Sequence, residues 1–182
     1  MKIDPIDYFF EQGNYITERA IEVPIGRKWA ENKINLIEIG AVLPSYYNDI
    51  KHDVVDPFDE KANIKKYLHE VDINNKNVLS LSTVEHIGLD DYGSSYINEN
   101  GAIESIQRIL SESNSCLISV PIGYNPKMDD WIRTNHSNMN TFAYQKTSQN
   151  PLIWNYESPA VNFNFQYNTP FLFANMVLFI YK

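Results

Sequence analysis

Residues 35–88 read NLIEIGAVLPSYYNDIKHDVVDPFDEKANIKKYLHEVDINNKNVLSLSTVEHIG, and the fold turns on this stretch. It parses as a strand, a tight turn, a second strand closed by an acid, a third strand, a fourth strand, and a loop carrying Glu85 and His86. Short β-type runs that are not joined as hairpins predict parallel pairing. Leu36, Ile37 and Ile39 make a nearly continuous apolar run, the mark of a strand covered on both faces. That run closes on Glu38-Ile39-Gly40, so an acid and a glycine fall at its carboxyl end. Ligands of open α/β sheets bind at carboxyl ends, where the order of strands reverses. Asp56 ends the second run, HDVVD, and a carboxylate there can accept two hydrogen bonds from the hydroxyls of a ribose.

Outward from this stretch the chain keeps the same logic. Only eleven residues separate Gly40 from His52, so the first crossover is at the minimum length, with Pro44 suited to the first turn of its helix. Residues 59–68 read as a short helix or turn. Residues 89–98, LDDYGSSYIN, form a polar loop, after which Asn98 is expected to cap a helix with Ile103, Ile106, Ile109 and Leu110 on one face. Residues 116–122 make a fifth strand that ends in a Gly123-Tyr124-Asn125-Pro126 turn beside Glu85 and His86. Residues 141–147 alternate as a strand, a loop follows to Pro170, and residues 174–181 close the chain as an apolar strand. Two strands without a helical pattern between them predict an antiparallel pair. Ahead of all this, residues 1–34 read as a helical preface or lid: Asp4-Pro5 is a helix start, and residues 17–24 are extended or partly helical.

Composition narrows the function classes. A chain of 182 residues suits one domain spanning residues 1–182, and 43% hydrophobic content supplies a core. A formal charge of −8 repels phosphate backbones, which argues against a nucleic-acid partner and against anionic membrane surfaces. Cys116 is the single cysteine, so no intrachain disulfide forms, in keeping with a reducing cytoplasm. It lies in an apolar strand and reads as a small buried hydrophobe. The first ten residues, MKIDPIDYFF, carry acids where a signal peptide would carry its apolar centre. The four histidines show no ligand spacing, and neither a phosphate-binding G-x-x-x-x-G-K nor a G-x-S-x-G elbow occurs.

At Glu38-Ile39-Gly40, Asp56, Asp72-Ile73 and Ser82-Thr83-Val84-Glu85-His86-Ile87, the chain resembles the Rossmann-like, class I S-adenosylmethionine-dependent methyltransferases. It departs from their pattern after Gly40, where Ala41-Val42-Leu43-Pro44 supplies no second glycine. The resemblance implies a three-layer α/β/α sandwich on a mostly parallel seven-stranded sheet with an antiparallel C-terminal strand. It implies S-adenosylmethionine as cofactor, bound by Glu38, Gly40, Ala41, Asp56, Asp72, Ile73, Ser82 and Glu85. Arg19, in the lid, would pair with the cofactor's carboxylate, or else with Glu22 on the surface. His86 is the catalytic candidate, because an imidazole can take a proton from an acceptor hydroxyl at neutral pH. The alternative for His86 is a bond to a backbone carbonyl that shapes the loop. Tyr124, Asn125 and Tyr92 are the candidate substrate contacts, suited to a polar small molecule such as a sugar. A second reading keeps the fold without catalysis, as a binding or assembly module. A nicotinamide oxidoreductase fits least, lacking its three-glycine fingerprint. The sequence is compatible with a homodimer.

Overall fold

The computed structural model describes residues 16–94, 96–157 and 163–182. Within them the chain forms strands β1 (Leu36–Ile39), β2 (Asp53–Val55), β3 (Asn77–Leu81), β4 (Ser115–Pro121), β5 (Asn140–Gln149), β6 (Leu152–Glu157) and β7 (Met176–Tyr181). Three helices accompany them: α1 (Arg19–Ala30), α2 (Gly101–Glu112) and α3 (Pro126–Asn135). The strands form one sheet in the order β2-β1-β3-β4-β7-β5-β6. Pairing is parallel from β2 through β4 and antiparallel from β4 onward. Strand order therefore reverses between β1 and β3, and the C-terminal strand is antiparallel, as expected.

The expectation of a mostly parallel sheet is corrected, because the sheet is mixed. The reason lies in the connectors. Helix α2 lies between β3 and β4, whereas residues 140–157 turn back on themselves as a β5–β6 hairpin. The β6 sequence LIWNYE, read above as loop, carries the aromatic and β-branched content of a strand. Conversely, the strand expected just ahead of Asp72 is a 3-10 turn at Leu68–Glu70, while Ile64, in the segment read as a short helix or turn, makes a single parallel bridge to Val55. The Asn63 side chain takes the Val54 amide at 2.7 Å, ending the ladder there.

Two further elements differ from the sequence reading. The first crossover holds no α-helix, only a 3-10 turn at Leu43–Ser45, since eleven residues leave room for little else. Residues 19–30 are fully helical around Pro24, with Ile21, Ile25 and Trp29 buried one turn apart. The helix start expected at Asp4-Pro5 lies outside the described residues. Helix α2 begins after Asn100, while Asn98 supplies its side-chain oxygen to the Asn100 amide and its carbonyl to the Gly101 amide.

Strand alternation sorts the core into two main clusters. Ile37, Val78, Cys116 and Ile118 pack with Ile106 and Ile109 of α2 and with Met128 and Ile132 of α3. Leu36, Leu79, Leu81 and Leu117 pack instead with Ile21, Ile25 and Trp29 of α1 and with Phe179 of β7. Cys116 is fully buried, and burial pushes its thiol up to about 11, so it behaves as the inert hydrophobe expected. Lys146 of β5 is almost fully buried and enters no ion pair with a carboxylate among the described residues. Its ammonium donates to the carbonyls of Ile16 and Leu172, each at 2.8 Å, and lies 5.0 Å from the Trp154 ring centre.

Gly40 ends β1 at φ +87, and a Cβ built there would sit 2.1 Å from the Thr83 hydroxyl oxygen. A neighbouring protein side chain thus excludes any larger residue. Gly40→Ala should lower unfolding free energy by at least about 2 kcal/mol, the scale of a forced left-handed residue joined to a clash. Adding Thr83→Ala should recover only part of that loss, because the Thr83 Cβ alone stays within 2.9 Å. Denaturant titration of the single and double variants measures both; full recovery in the double variant would locate the whole cost in the clash.

Candidate functional site

A cavity of about 490 Å³ opens at the carboxyl ends of β1, β2 and β3. Ile39, Gly40 and Ala41 line it after β1, Asp56 and Phe58 after β2, and Ser82 and Thr83 after β3. Arg19 enters from the start of α1, and His86, Asp91 and Tyr92 close the other side. Two non-glycine residues on its wall hold left-handed backbone, Ser82 at φ 37 and Tyr92 at φ 52. Such backbone costs energy that surrounding contacts must offset.

At Ser82 those contacts are visible. Glu22 of α1 is fully buried, and one of its oxygens accepts from the hydroxyls of Ser82 and Ser119. The other accepts from Arg19 at 2.9 Å, and the same guanidinium nitrogen donates to the Leu81 carbonyl at 2.9 Å. Arg19 therefore does pair with Glu22, but inside the protein. Burial opposes the charge on Arg19, yet Glu22, Glu18 and Glu85 outweigh it and hold the guanidinium protonated.

His86 sits in the 3-10 turn Val84–His86. Its Nδ1 lies 2.5 Å from Oδ2 of Asp91, an oxygen that also accepts from the Tyr124 hydroxyl at 3.0 Å. The rings of Tyr92 and Tyr124 meet the imidazole edge-on, at 4.9 and 4.6 Å between centres. Burial and the bond to Asp91 both raise the Tyr124 phenol, so it stays a donor. On the other side, Nε2 of His86 is 3.7 Å from Glu85, beyond hydrogen-bond distance. Glu85 is 1% exposed, and both its oxygens lack a hydrogen-bond partner among the described residues. Burial pushes its carboxyl well above the usual range.

The structure brings several expected site residues together and sets others apart. Gly40, Ala41, Asp56, Ser82, His86 and Tyr92 share the cavity. Asp56 accepts from the amides of Phe58 and Asp59 through Oδ1, and it enters no ion pair among the described residues. Glu38 points elsewhere: one oxygen accepts from the amides of Val42 and Leu43, and the other lies 2.8 Å from Nε2 of His52. Asp72 and Ile73 do not line the cavity. They precede β3 instead of following a strand, with Ile73 in the core and Asp72 exposed against Asn74. Glu85, expected to face the crevice with His86, is turned into the interior, and Ile87 takes a place on the wall. Asn125 is consumed by structure, capping α3 through the Met128 amide and donating to the Glu85 carbonyl. Tyr124 stands behind His86.

Three parts of the site escape local sequence patterns. The Arg19–Glu22–Ser82–Ser119 knot joins residues up to 97 positions apart. Asp91 differs from Asp90 in nothing that periodicity can register. Tyr67 and Tyr96 meet on the wall at 5.8 Å, with His69 stacked behind Tyr67 at 5.5 Å, so an aromatic surface arises between a short 3-10 turn and a distant loop. Among the described residues, no group of three or more His, Cys, Asp or Glu could hold a metal ion, and no helix is long and apolar enough to cross a membrane. The chain matches no protein-family model, no curated protein and no solved structure.

Glu85 gives the site a pH signature. In the unfolded chain its carboxyl ionises near the ordinary value, whereas the folded protein keeps the proton to higher pH. The folded state then binds more protons, so this group's contribution to stability falls as pH rises from about 4 toward neutrality. Glu85→Gln cannot ionise and should flatten that fall, raising stability near neutral pH by about 1–3 kcal/mol relative to the parent. Thermal unfolding across that range checks it, and parallel curves for the two proteins would contradict it.

Proposed function

We propose that this chain is an S-adenosylmethionine-dependent methyltransferase of three-layer α/β/α architecture, acting on a polar small molecule such as a sugar. The observation that carries this reading is the gathering of Gly40, Asp56 and His86 around one cavity at the strand reversal. The two clusters, with α1 in one and α2 and α3 in the other, support the layering. Antiparallel β7 beside β4 supports it against a nicotinamide-binding fold with parallel strands throughout. Electrostatics favour the same side. A dinucleotide's pyrophosphate needs free amides in the first turn, but Glu38 already occupies those of Val42 and Leu43.

Asp56 would take the ribose hydroxyls through Oδ2, Phe58 and Tyr67 offer aromatic surface, and Arg19 would meet the carboxylate. When bound, the sulfonium supplies a methyl group to an acceptor atom and keeps the carbon–sulfur electron pair. The chain's own share is to position the acceptor, exclude water and hold its proton. The acidic charge and lone buried cysteine fit a cytoplasmic setting with a small-molecule partner. One observation favours the second reading, a non-catalytic module: Glu22 already satisfies much of the Arg19 charge.

Isothermal titration with S-adenosylmethionine and its demethylated product tests the first reading directly. Binding of both is expected. Asp56→Asn keeps an oxygen for the Phe58 and Asp59 amides while removing the charge, and should weaken binding by about 1.5–3 kcal/mol with little effect on folding. An unchanged dissociation constant would remove Asp56 from the site. If the parent protein takes up neither compound, the non-catalytic module is the reading that stands.

A further inference from the structure

The geometry points to Asp91 as the positioning residue that makes His86 a base, with its proton fixed on Nδ1 and its lone pair on Nε2. The sequence offers Asp91 no role; the structure places its Oδ2 2.5 Å from Nδ1 and 3.0 Å from the Tyr124 hydroxyl. An ionised carboxylate only accepts, so the nitrogen facing it must carry hydrogen. In a neutral imidazole that leaves Nε2 without one. Tyr124 donates to the same oxygen and holds the carboxylate in place. Tyr92 and Tyr124 brace the ring from two sides, so its rotation is restricted along with its tautomer. Nε2 makes no hydrogen bond among the described residues, the nearest carboxyl being Glu85 at 3.7 Å. Its lone pair is therefore not consumed by any of the described residues. His86 and Asp91 both line the cavity.

The role of this pair rests on the methyltransferase reading, and it sharpens that reading. A carboxylate acceptor has no proton to lose, whereas a neutral alcohol or phenol must lose one. A pair built to leave an unprotonated nitrogen at the cavity suits the second class. In that case the hydroxyl proton passes to Nε2, and the imidazole becomes an imidazolium whose Nδ1 proton stays on the ring, hydrogen-bonded to Asp91. The proton on Nε2 then leaves to water, restoring the starting state.

Long-range proton–nitrogen correlation spectra of ring-labelled protein report the tautomer without methyl donor or acceptor, with His86→Gln identifying the signal. In the parent protein, at a pH where the ring is neutral, Nδ1–H should exceed Nε2–H by about tenfold or more, the scale of a hydrogen bond to a charged group. Asp91→Asn presents an amide that can donate to Nδ1, and should move the population toward Nε2–H. Tyr124→Phe keeps the carboxylate and should leave the tautomer as it was. An Nε2–H ring in the parent, or no change in Asp91→Asn with a folded spectrum otherwise, would overturn the assignment. Because the spectrum needs no ligand, failure to bind S-adenosylmethionine would count against the methyltransferase reading while leaving the tautomer result intact.

Discussion

Everything at the carboxyl edge depends on one buried carboxylate. Glu22 reaches from α1 to hydroxyls on Ser82, just past β3, and Ser119 of β4, and its other oxygen holds Arg19. Removing a carboxylate from water is expensive, so such a group persists only when its lone pairs are filled. Here they are filled by groups from the first helix and from the two central strands. The helix is thereby fixed in register on the sheet, and Ser82 is held in a backbone conformation that redirects the chain after β3. The 3-10 turn that presents His86 starts two residues later. Through the knot, α1 is hydrogen-bonded to Leu81 and Ser82, the residues that lead into that turn.

A second constraint is the change of direction at β4. To its one side the sheet is parallel and needs crossovers; to the other it is antiparallel and is served by a hairpin. β7 is nearly fully buried, a run of Met176, Val177, Leu178, Phe179 and Ile180 between β4 and β5. It follows every other strand in sequence, so the two halves of the sheet are joined only when β7 is in place.

Much of this was legible in the sequence, and the parts that were not share a cause. β1, β3, β4 and β7 announce themselves as apolar runs with short polar borders. The Gly40 turn, Asp56 and His86 fall where strand endings place them. The failures came where polar side chains replaced backbone partners. Asn63 ends the outer edge of β2 by accepting from the Val54 amide, and Glu38 holds the first crossover as a tight turn by binding two amides. Glu85 looked presentable to solvent because acids usually are. Its burial follows from the packing around Val84 and from Asn125 gripping its carbonyl, contacts that no local window contains. β6 was missed because Pro151 and a row of asparagines and tyrosines resemble a loop until a partner strand is known.

The tight approach of Thr83 to Gly40 has a consequence for how such chains change over evolutionary time. The glycine answers to a threonine one strand away, so the fold requires it whether or not a ligand is bound. A descendant that lost every binding function would keep it for as long as β1 and β3 remained neighbours. In chains built this way, a glycine at the first turn records the fold's own geometry.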